Sequence, residues 1–66
     1  MSIDEIRNQV QYISDISDDS ETAHCLEDSL YVEFVTFVAE HSKGKLAGMA
    51  KEVLKTKEIN FSRWYA

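Results

Sequence analysis

The residues best able to do chemistry stand together as His24-Cys25-x-Glu27-Asp28. On a helix, His24, Glu27 and Asp28 fall at i, i+3 and i+4 and share one side. An imidazole beside two carboxylates offers either a set of metal ligands or an acid–base group. The second histidine, His41, lies roughly 25 Å further along a helix at about 1.5 Å per residue. The two imidazoles therefore cannot meet on one ion within one chain. One imidazole and two carboxylates are a thin donor set, and the same spacing makes a local ion pair near a helix start. The sequence predicts a polar cluster here, with no metal and no cofactor; a small metal-binding protein is the remote alternative.

Cys25 is the only cysteine, so no internal disulfide can form, and a reducing, cytoplasmic setting is expected. Its neighbours supply no lysine or arginine to stabilise a thiolate. It reads as a small apolar residue, buried or at an interface. Asp18-Asp19-Ser20-Glu21 brings three carboxylates together, but without the alternating ligands, glycine turn and distal glutamate of a calcium loop. It reads as an acidic helix start, capped by Asp18 with Glu21 or by Asp19 with Thr22. There is no glycine-rich phosphate loop and no nucleophile–base pair at a supporting spacing. A chain of 66 residues also leaves little room for a substrate pocket of about 300 Å3 or more. The protein reads as non-enzymatic.

The elements that hold these residues are helical. Residues 23–41 carry most of the large apolar side chains. Leu26, Leu30, Phe34 and Phe37 line one side of a helical wheel, and Cys25, Val32, Val35, Thr36 and Ala39 line another. The run Val32, Val35, Thr36, Val38 has strand propensity, but Phe34, Val35, Phe37 and Val38 do not alternate in and out, so the period is that of a helix. Ahead of it, Ser2 and Glu5 form a capping box, and Ile3, Ile6, Val10 and Ile13 recur at helical spacing. After it, Gly44 permits a turn. Leu46, Met49, Ala50, Val53 and Leu54 then make a third apolar stripe, with Gly48 opposite. The predicted fold is an all-α, three-helix single domain over residues 1–66. Its helices span about 3–16, 19–41 and 45–55, with a possible weak point at 27–29 in the second. A short aromatic turn at about 60–65 is expected to fold back onto the core; the alternative is an exposed aromatic motif that docks into a partner. The predicted core comprises Ile6, Val10, Ile13, Leu26, Leu30, Phe34, Phe37, Val53 and Trp64, with Ile59 and Phe61 accompanying Trp64.

Charge narrows the partners. The net charge is −5, which disfavours direct binding to nucleic acid. Residues 1–42 carry ten carboxylates against one arginine, and residues 43–66 carry two against six cations. That asymmetry fits either internal complementarity or an acidic surface that occupies a basic host protein in the manner of a nucleic-acid mimic. No stretch reaches the roughly 18 apolar residues of a membrane span. Two short helices cannot wrap both apolar sides of the second helix, so the Cys25, Val32, Val35, Thr36, Ala39 side is expected to pair with another protein, most simply as a homodimer.

Two further patterns carry a resemblance. Ala23-His24-x-x-Glu27-Asp28-x-Leu30-Tyr31 with Phe34-Val35, and Val53-Leu54-Lys55-Thr56-x-x-Ile59-Asn60-Phe61-x-Arg63-Trp64-Tyr65-Ala66, resemble short helical open reading frames that recur in bacterial and phage-type genomes. The resemblance covers residues 23–66. The group carries no established activity, so the resemblance implies a small helical accessory protein, of mobile-element type, and transfers no catalytic residue.

Overall fold

A computed structural model describes residues 1–61 of the chain. Three α-helices follow one another: α1 (Ile3–Asp15), α2 (Ser20–His41) and α3 (Gly44–Leu54), the last running into a single 3-10 turn, Lys55–Glu58. There is no strand among the described residues. The all-α, three-helix architecture predicted from the 3–4 spacing is the one observed, with bounds within a residue or so of those expected. Residues 27–29 do not interrupt α2. Asn60 and Phe61 are not helical, and the rest of the expected aromatic turn, including Trp64, lies outside the described residues.

Local chemistry explains the helix starts. Ser2 sits in extended geometry ahead of α1, and its Oγ accepts the Glu5 backbone N–H at 3.2 Å. The Ser2 hydroxyl in turn donates to Glu5 Oε1 at 3.3 Å, so the capping pair closes through side chains. Of the two caps open for α2, the Asp19–Thr22 pairing is formed: Asp19 Oδ1 accepts the Thr22 N–H at 3.3 Å and Oδ2 accepts the Thr22 hydroxyl at 2.8 Å. Between α1 and α2 the turn is closed by backbone bonds from Ile16 N–H to Tyr12 and from Asp19 N–H to Ile16. Between α2 and α3 only Ser42 and Lys43 are non-helical. Gly44 adopts φ +65°, a left-handed conformation that costs a Cβ-bearing residue about 1–2 kcal/mol and costs glycine little.

The described chain divides into two compact units, residues 1–30 and the residues from Tyr31 onward; α2 contributes to both. In the first unit the half-buried positions are Ile6, Gln9 and Ile13 of α1 and Ile16 just after it, again a 3–4–3 recurrence. This line is rotated from the predicted Ile3–Ile6–Val10–Ile13 stripe. Val10, expected in the core, is more than half exposed. The hydrogen-bonded turn begins at Ile16 and fixes that residue on the covered side, and the rest of the covered face follows from it. On the α2 segment of this unit, Ala23, Leu26 and Leu30 are half-buried.

The second unit buries Ala39 of α2 and Ala47 and Ala50 of α3. A two-residue connection makes consecutive helices antiparallel neighbours. Two further expectations are corrected here. Phe34 and Val53, predicted as core, are 50% and 56% exposed, because both stand in an open groove walled by α2 and α3, where one side of each ring or chain meets water. Ile59 and Phe61, predicted to fold back, are also more than half exposed. Phe37 is half-buried, its ring 4.5 Å from the His41 ring at a tilt of 32°.

Candidate functional site

The polar cluster is assembled as the spacing required. His24, Glu27 and Asp28 each present one donor atom, and the three atoms lie within 4.8 Å of one another. His24 Nε2 stands 4.0 Å from Asp28 Oδ1. His24 and Asp28 are half-buried and Glu27 is exposed. All three project from one turn of one helix, so an ion held there would take its remaining ligands from water. The geometry equally describes an ion pair formed when the imidazole is protonated, and pairs this accessible contribute only about 0.2–1 kcal/mol. His41, at the far end of α2, is engaged with Phe37. In the acidic run, Asp19 is committed to capping α2.

The five residues predicted as one interface do not form a single open strip. Cys25 is exposed and belongs to the first unit. Val32 stands at the edge of exposure, Val35 and Thr36 are half-buried, and Ala39 is buried at 6%. Val35 shares the wall of a groove with residues of α3, so part of this side is covered within the chain.

What is open instead is a groove within the second unit, with a volume of about 250 Å3. Phe34, Val35 and Val38 line it from α2; Leu46, Met49, Ala50 and Val53 line it from α3. None of these side chains carries a titratable or nucleophilic group. Phe34, Leu46, Met49 and Val53 are between 50% and 56% exposed. The sequence held a signal for this arrangement that the single-stripe reading of α3 missed. Two interleaved lines run along that helix. Ala47, Ala50 and Leu54 recur at 3 and 4 and turn inward; Leu46, Met49 and Val53 recur at 3 and 4 and turn outward. Gly48 lies on neither line, and a Cβ built there meets nothing within 4 Å.

No protein-family model, curated protein or solved structure matches the chain. Among the described residues, no helix is long and apolar enough to cross a membrane.

Proposed function

We propose that this is a small acidic, non-enzymatic interaction module that binds another protein through the groove between α2 and α3. The observation that carries the reading is the groove itself: a concave surface lined entirely by apolar side chains, four of them half-exposed. Surfaces of that composition bind; they have no group with which to move a proton or attack a bond. Both walls are helices whose backbone groups are bonded internally, so the groove offers no edge for an extended peptide to pair with. Recognition falls to side-chain anchors, the mode in which an amphipathic helix lies in a groove. The lone cysteine is consistent with a cytoplasmic setting.

A second reading is supported by a separate observation. Residues 1–30 carry eight carboxylates and one arginine, a balance of −7. An inhibitor that occupies a basic, nucleic-acid-binding surface would use that charge. Salt separates the two readings. Capture of a partner from cell lysate that persists from about 0.1 to 1 M salt and is lost in Met49→Glu supports the groove. Capture that collapses over that range, as exposed charges are screened, and survives Met49→Glu supports the acidic surface and refutes the groove.

A further inference from the structure

We draw no further inference here: the strongest candidate, the apolar groove that Phe34, Leu46, Met49 and Val53 line between α2 and α3, belongs to the site already described, and nothing in the structure shows what covers it.

Discussion

Gly44→Ala and Gly48→Ala apply one chemical change at two positions four residues apart, and the structure gives them opposite signs. At both sites a built Cβ meets no atom within 4 Å. The added methyl therefore gains no packing and meets no clash, and only the backbone terms remain. At Gly48, inside α3, the backbone lies outside the left-handed region. Alanine there gains about 0.8–1 kcal/mol of helix propensity, part of it through a less free unfolded chain. At Gly44, with φ +65°, alanine meets a left-handed cost of about 1–2 kcal/mol, only partly offset by the same unfolded-state gain, for a net loss of about 1 kcal/mol. The two variants should differ by about 2 kcal/mol, close to a thirtyfold difference in the folding equilibrium. Urea unfolding followed by far-ultraviolet circular dichroism measures this directly, with the slope on denaturant unchanged if only stability moves. Thermal midpoints should move by roughly 4–8 °C per kcal/mol. A destabilised Gly48→Ala would refute the reasoning, because it would mean that this side of α3 is covered.

Three further outcomes follow from named contacts. Asp19→Ala removes both bonds to Thr22 and should cost about 1 kcal/mol, with Asp19→Asn retaining most of the stability; equal losses in the two variants would show that the cap is not the source. His24→Ala breaks an accessible pair and should change stability by no more than about 0.5 kcal/mol, and elemental analysis of wild type should find no stoichiometric transition metal. A metal present in wild type and lost in the variant would reassign the cluster. Ala39→Leu places three extra carbons where the residue is 6% exposed, and overpacking there should cost roughly 1–3 kcal/mol. A neutral result in urea unfolding would mean that the space around Ala39 is not closed.

The fold was legible wherever a signal was local. Ser2 with Glu5, Asp19 with Thr22 and Gly44 each mark a helix end through a bond or a dihedral that involves only near neighbours in sequence, and the 3–4 recurrences gave the helices between them. Which face of each helix would be covered was not legible to the same degree. Size alone places Phe34 inward and Cys25, Val32, Val35, Thr36 and Ala39 outward, because larger residues gain more from burial. The buried positions are instead the small residues Ala39, Ala47 and Ala50, while Phe34 and Val53 stay half exposed. On α1 the covered line likewise departs from the expected one, through Gln9 and Ile16 and not Val10. The apolar pattern fixes the period, and the turn fixes the phase.

The buried alanine line of α3 and the open groove are one geometric fact. Successive residues on a helix are about 100° apart, so the Ala47–Ala50–Leu54 line and the Leu46–Met49–Val53 line are separated by about that angle. Together they make an apolar sector wider than one neighbouring helix, at an axial distance of about 8–10 Å, can cover. Burying the alanine line therefore turns the larger line outward, and on α2 Ala39 is likewise buried while Phe34 is half exposed. A helix of 11 residues with two such lines is satisfied only by two neighbours. Within the second unit the outward line of α3 stays open in the groove, which is why the proposed binding role attaches to Phe34, Leu46, Met49 and Val53 and not to the polar cluster at His24.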